Sequence, residues 1–156
     1  MPTRHPVDDQ QRIAALEALG ALDTPLLDPN FALNHPARIL VAEDNSVNQQ
    51  VIMRLLQKLG YEPRAVANGL EALRALHESP CDIVLMDVEM PEMNGPTASA
   101  AIRREFPPER QPAIVALTAH SLDGRSQQFK DAGMDSYLPK PIRAADLTRI
   151  LAQCVK

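Results

Sequence analysis

The sequence of 156 residues has no tryptophan, only two tyrosines and three phenylalanines, and an aromatic content of 3%. Core volume must therefore come from Leu, Ile, Val, Ala and Met. Two cysteines, Cys81 and Cys154, are far apart and fit no metal spacing, so they read as ordinary thiols of a reducing compartment. No apolar run reaches the length of a membrane span, and Met1–His5 lacks the apolar core of a signal peptide. The expected location is cytoplasmic, even if a longer parent protein is anchored in a membrane. Basic runs are also missing, and the formal net charge is −4. Nucleic-acid binding by bulk electrostatics is thereby disfavoured.

What is present falls into two zones. Residues 1–36 read as a linker with one possible short helix, Asp8–Leu19, where Asp8 and Gln11 can form a capping box and Gly20 a stop. Pro25, Pro29 and Pro36 then discourage regular structure. From residue 37 to 156 strand and helix patterns alternate. The expected strands are Ile39–Ala42, Pro63–Ala67, Ile83–Asp87, Ala113–Leu117 and Ser136–Leu138. The expected helices are Ser46–Leu59, a second opened by Asn68 and Glu71 and running to His77, Pro96–Glu105, Asp123–Ala132 and Arg143–Cys154. Val47, Val51, Ile52, Leu55, Leu56 and Leu59 share one face of the first helix, and Leu70, Leu73 and Leu76 one face of the second. Such alternation, with several strands apolar on both faces, predicts an α/β domain with a parallel sheet covered on both sides. In such sheets a ligand site lies at the carboxyl ends of the strands, where the strand order reverses.

The residues at those ends form a chemical set. Glu43 and Asp44 follow the first strand, Asp87 ends the third, Thr118 and Ala119 follow the fourth, and Lys140 follows the fifth. Clustered carboxylates repel one another unless a cation lies among them. An all-oxygen donor set with room for water suits Mg²⁺ better than a transition metal. Metal and Lys140 together would make a positive pocket facing Asp87, able to draw in a phosphoryl group and spread its transition-state charge. Asp87 could then act as a carboxylate nucleophile and form an acyl phosphate. Thr118 can donate to a phosphoryl oxygen, and Ala119 leaves the approach open. Singly, each residue has a plainer reading: Lys140 or Thr118 as a solvated loop residue, Glu43 and Asp44 as a helix N-terminal charge pair, Asp87 as a strand-end cap. Only their joint placement argues for a site.

Four stretches carry a family resemblance: Arg38-Ile-Leu-Val-Ala-Glu-Asp-Asn45, Val84-Leu-Met-Asp-Val-Glu-Met-Pro-Glu-Met-Asn-Gly95, Ala116-Leu-Thr-Ala119 and Tyr137-Leu-Pro-Lys-Pro141. In this order they resemble the response-regulator receiver domain over essentially all of 37–156. The resemblance implies a flavodoxin-like, doubly wound five-stranded parallel sheet of order 2-1-3-4-5. It also implies Mg²⁺-dependent transfer from a phosphohistidine to Asp87. Glu43 and Asp44 match the metal-binding acids, with the Glu89 backbone carbonyl as a further ligand. Lys140 matches the family lysine, Thr118 the switch hydroxyl and Tyr137 the switch aromatic, which is expected to turn inward when Thr118 moves. The readout surface implied is the fourth helix, fifth strand and fifth helix.

The run Ala42-Glu-Asp-Asn-Ser-Val-Asn48, the turn Leu59-Gly-Tyr61 and Ala132-Gly-Met-Asp135 resemble receivers attached to hybrid sensor histidine kinases, and Asn30–Pro36 resembles the linker preceding them. The partners then expected are a histidine kinase or a histidine phosphotransfer domain, as donor or acceptor. Pro96-Thr97 departs from the usual apolar residue after the glycine and leaves the start of the third helix open, and Asn94 replaces the more common Asp. Glu89 and His120, two positions beyond Asp87 and Thr118, are candidates for tuning acyl-phosphate lifetime. The chain carries no ATP-binding kinase motif, so kinase activity is not expected of it alone. Two other readings stay open: a stand-alone regulator acting through protein contacts, and a metal-dependent phosphohydrolase with Glu89 as its acid.

Overall fold

The computed structural model describes residues 28–119 and 126–155. Its strands are β1 (Ile39–Ala42), β2 (Arg64–Val66), β3 (Ile83–Asp87), β4 (Ala113–Thr118) and β5 (Ser136–Pro139). The helices between and after them are α1 (Ser46–Lys58), α2 (Gly69–Glu78), α3 (Gly95–Glu105), α4 (Ser126–Asp131) and α5 (Ala144–Cys154), with one helical turn, Phe31–Asn34, ahead of β1. All pairings are parallel, in the order β2-β1-β3-β4-β5. This is the doubly wound order expected, in which the chain reverses direction of winding next to β1.

Burial explains why β1 and β3 lie in the middle. Every residue of both is buried, as an apolar strand covered on both faces requires. Successive side chains point to opposite faces, and the two faces feed two cores. Ile39, Val41, Ile83 and Leu85 pack with Ile52, Leu55 and Leu56 of α1 and Leu147 and Leu151 of α5. Leu40, Ala42, Val84 and Met86 pack with Ala72 and Leu76 of α2, Ala98 and Ile102 of α3, and Phe129 of α4. Fully burying one such leucine contributes roughly 1.5–3 kcal/mol.

Side-chain caps start three of the helices. Asn45 accepts from Asn48 N–H at 3.0 Å, Asn68 from Glu71 N–H at 2.9 Å, and Asn94 from Thr97 N–H at 2.9 Å. Glu71 in turn reaches back past the cap and accepts from Ala67 N–H at 3.1 Å, one residue beyond the donor of a strict capping box. The open question at α3 is thereby answered: the helix begins at Gly95, with Asn94 as its cap and Pro96 in its first turn. Proline costs little there because the first-turn N–H groups have no intrahelical partner.

Two expected apolar positions differ from the sequence reading. Val47 is 56% exposed and Leu70 only half-buried. Both belong to first turns that begin at the strand ends, before their helices settle on the sheet. The expected helix Asp8–Leu19 lies outside the described residues. Among the described residues no helix is long and apolar enough to cross a membrane.

Candidate functional site

Strand register brings the polar residues together. Ala42 pairs with Met86, Asp87 with Leu117 and Thr118 with Pro139. The ends of β1, β3, β4 and β5 therefore stop abreast, and Glu43, Asp87, Thr118 and Lys140 meet on one edge. The β4–β5 ladder continues past the strands, with Lys140 N–H donating to Thr118 carbonyl oxygen at 2.8 Å. That bond anchors the lysine backbone beside the carboxylates.

Lys140 Nζ lies 2.7 Å from Glu43 Oε1 and 3.0 Å from Asp87 Oδ2. Glu43, Asp87 and Thr118 are buried, at 1%, 5% and 2% exposure, whereas Asp44 faces solvent. Burial pushes the Glu43 carboxyl above its ordinary range, and the neighbouring Asp87 adds to that, against the opposing pull of Lys140 and the Asn45 N–H. For Lys140 burial acts downward, but its bonds to Glu43 and Asp87 outweigh it and the ammonium is held above the usual lysine range. The lysine is therefore a permanent cation at neutral pH.

Three features test whether a divalent cation fits. Glu43, Asp44 and Asp87 each offer a carboxylate oxygen, all within 4.8 Å of one another. Glu43 Oε1 is buried without a hydrogen bond of acceptable geometry, although Lys140 Nζ is close. A carboxylate oxygen carries more than one lone pair, so the contact with Lys140 leaves Glu43 Oε1 able to meet a further cation. Finally, the exposed Asp44 leaves one side open to water, as Mg²⁺ requires. The donor set fits Mg²⁺.

Beside the acids is a cavity of about 100 Å³ lined by Asp87, Val88, Glu89, Leu117, Thr118, Ala119 and Lys140. Larger surface grooves exist, such as one of about 480 Å³ between β5 and α5, but none of them contains the three clustered acids. Glu89 forms one wall of the small cavity, and its N–H donates to Asp87 Oδ1 at 3.3 Å. Tyr137 is not part of the cluster: its side chain is 47% exposed and lines the β5–α5 groove. His120 lies outside the described residues.

Several supporting residues were not singled out from the sequence. Gln49 Nε2 donates to the carbonyl oxygens of Glu43 and Val66, each at 3.1 Å, tying the acidic turn to the end of β2. Asn45 N–H donates to Glu43 Oε2 at 3.2 Å and orients the buried carboxylate. Gly95 N–H donates to Val88 carbonyl oxygen at 2.9 Å. A Cβ on Gly95 would run into the Asp87 carbonyl oxygen, so the β3–α3 loop folds close over Asp87 only with glycine there. The glycine was visible as the last residue of the Val84–Gly95 stretch, but its approach to Asp87 is a tertiary fact. Gln49 has no local signal.

Comparison with known proteins agrees with this geometry. Residues 39–152 match the family described as response regulator receiver domain. The receiver domain of sensor histidine kinase PA1611 from Pseudomonas aeruginosa PAO1, solved with a magnesium ion coordinated in its active site cleft, is 41% identical. It superposes with a TM-score of 0.68 over 75% of this chain and 95% of that one. Hybrid signal transduction histidine kinase G of Dictyostelium discoideum is 35% identical over 131 residues, covering 83% of this chain. The match spans only 4% of that relative's length. The receiver domain of Ssk1 from Saccharomyces cerevisiae, solved in complex with the histidine phosphotransfer protein Ypd1, is 25% identical. Its TM-score is 0.69, over 76% of this chain and 88% of that one.

Proposed function

Since the chain belongs to the response-regulator receiver domain family, we propose that it accepts a phosphoryl group on Asp87 from a phosphohistidine and relays the change to a partner. The single observation that carries this reading is the convergence of Lys140, Glu43 and Asp87 at 2.7 and 3.0 Å on the edge of the sheet.

An Asp87 carboxylate oxygen attacks phosphorus, the new P–O bond forms, and the P–N bond to the donor imidazole breaks. The electron pair of that bond leaves with the imidazole nitrogen, which then takes up a proton. Glu43 and Asp44, together with Asp87, are the residues proposed to hold Mg²⁺, and Glu89 its carbonyl ligand. Bound there, the ion supplies positive charge to the transferring phosphoryl oxygens. Lys140 does the same from the β5 side and releases its hold on Asp87 as the phosphoryl group arrives. Thr118, on the wall of the cavity, donates its hydroxyl to a phosphoryl oxygen. Tyr137, exposed in the present state, is proposed to follow Thr118 inward and alter the surface formed by α4, β5 and α5. Glu89 is proposed to affect how fast water attacks the acyl phosphate, as is His120.

The kinship with a hybrid histidine kinase supports placing this receiver in such a phosphorelay. The Ssk1 complex supports a histidine phosphotransfer domain as the exchange partner. The test is phosphorylation by a small acyl or amido phosphate with Mg²⁺, read as a mass shift. We expect one phosphoryl group on the wild type and none on Asp87→Asn; equal labelling of both overturns the assignment. Steady turnover of a phosphomonoester by the isolated chain would instead favour the phosphohydrolase reading.

A further inference from the structure

We propose that residues 28–36 form a clasp that docks on the corner between α1 and β2 as a fixed part of the folded unit, so that the unit begins at residue 28 and not at β1. These residues precede the range matched by the family, 39–152, and their prolines suggest a loose connection. The contacts say otherwise. Ala32 N–H donates to Leu59 carbonyl oxygen at 2.9 Å, and Leu59 is the C-cap of α1. The terminal carbonyls of a helix lack intrahelical donors, so the clasp satisfies a group the helix cannot. On the next residue but one, Tyr61 Oη donates to His35 carbonyl oxygen at 2.6 Å. Tyr61 is 5% exposed, and a buried phenol needs such a partner.

Packing is equally specific. The Phe31 ring meets Tyr61 edge-on at 6.3 Å and stacks on His35 at 4.3 Å. Phe31 and Ala32 pack against the core shared by α1 and α5. Gly60 has φ +99°, and a Cβ there would come within 2.5 Å of the Pro29 carbonyl oxygen and 3.3 Å of Ala32 Cβ. The left-handed glycine thus both turns the chain out of α1 and lets the clasp lie against it. The clasp sits at the far end of α1 from Glu43, about 20 Å away for its 13 residues. It therefore occupies one corner while leaving the proposed phosphorylation edge open to a partner. The packed unit therefore begins at residue 28, ahead of the range matched by the family.

The proposal is independent of Asp87 chemistry and is tested on the full chain. Amide exchange and ¹⁵N relaxation are measured at Ala32, and tyrosine titration is followed by ultraviolet absorbance. We expect Ala32 to exchange roughly a hundredfold or more slower than unprotected chain, with relaxation matching α1. In a Phe31→Ala, Ala32→Pro variant, Tyr61 should titrate nearer an ordinary tyrosine, while phosphorylation by the small donor stays within about twofold. Unprotected exchange at Ala32 in the wild type, or an unchanged Tyr61 titration in the variant, would overturn the clasp.

Discussion

The ammonium of Lys140 stands 3.0 Å from the Asp87 carboxylate and bridges it to the buried Glu43. Three acids and one lysine at the ends of three parallel strands, β1, β3 and β5, hold opposite charges close, and that balance bears on both stability and the proposed chemistry. Removing the cation should weaken transition-state stabilisation far more than binding of the metal. Lys140→Ala is expected to slow phosphorylation by a small donor about 10²–10³-fold, in line with the loss of a preorganised charge. Its Mg²⁺ affinity should hold or rise, because the ammonium no longer repels the metal. Mass-shift time courses and calorimetric Mg²⁺ titration check the two halves separately.

With Mg²⁺ held by the carboxylate cluster as proposed, stability should depend on divalent metal. With Mg²⁺ at about a hundredfold above its Kd, the native state should gain about 2.7 kcal/mol, seen as a raised Tm. Asp44→Asn should remove most of that gain. Without metal the sign reverses: Asp44→Asn relieves repulsion among the three acids and should leave Tm equal to or above that of the wild type.

Gly95 tests how tightly the β3–α3 loop must approach Asp87. Gly95→Ala places a methyl against the Asp87 carbonyl oxygen, an overpacking expected to cost about 1–3 kcal/mol. The urea midpoint should fall accordingly, with the denaturant slope unchanged. Phosphorylation should fall on the order of tenfold beyond any loss of folded protein, because the loop carrying Glu89 is displaced along with Asp87.

Alkaline stability reports on the clasp. Burial pushes the Tyr61 hydroxyl up to about 12 from an ordinary value of 10. The unfolded chain therefore loses this proton first, and between those values it binds fewer protons than the native state. Stability contributed by Tyr61 is fully present below pH 10 and is lost as pH rises toward 12. Urea midpoints across that range should fall for the wild type. The fall should be shallower for Tyr61→Phe, which keeps the ring and removes the titration.

At the opposite end of the scale, the Arg38 guanidinium holds the Asp82 carboxyl below its ordinary range, its pull only partly offset by burial. The two bonds are 3.0 Å each, with Arg38 N–H donating to Asp82 at 2.7 Å. A lowered pKa in the native state means stability present above the unfolded value near 3.8 and lost as pH falls through the native one. Both side chains are well exposed, so the effect should be small and shrink further in high salt. Comparing acid unfolding of the wild type with Asp82→Asn at two salt concentrations measures it.

Much of this arrangement could be read from residue pattern alone, for definite reasons. Asp87 stands out because an apolar strand, Ile83–Met86, ends in a carboxylate, and a strand buried at every position has only its end to offer a ligand. Asn68 and Glu71 were legible as the opening of a helix because both partners are local. Val47 misled because helical periodicity does not say where a helix first meets the sheet. Gln49, Gly95 and the contact of Tyr61 with His35 were illegible for a common reason. Each acts on a backbone group brought near by the fold, and a carbonyl leaves no trace in residue type. The clasp was hidden further by Pro29 and Pro36, whose usual meaning is a break in structure.

The central claim is that Asp87, and no neighbouring acid, receives the phosphoryl group. Borohydride reduction of the phosphorylated chain converts an aspartyl acyl phosphate into homoserine, which peptide mass spectrometry locates by residue. Homoserine at position 87 alone, dependent on Mg²⁺ and on the small phosphate donor, is the result expected. Homoserine at Asp44, a reduced side chain at Glu43, or no reduced residue in a chain that carries the phosphoryl mass would contradict it.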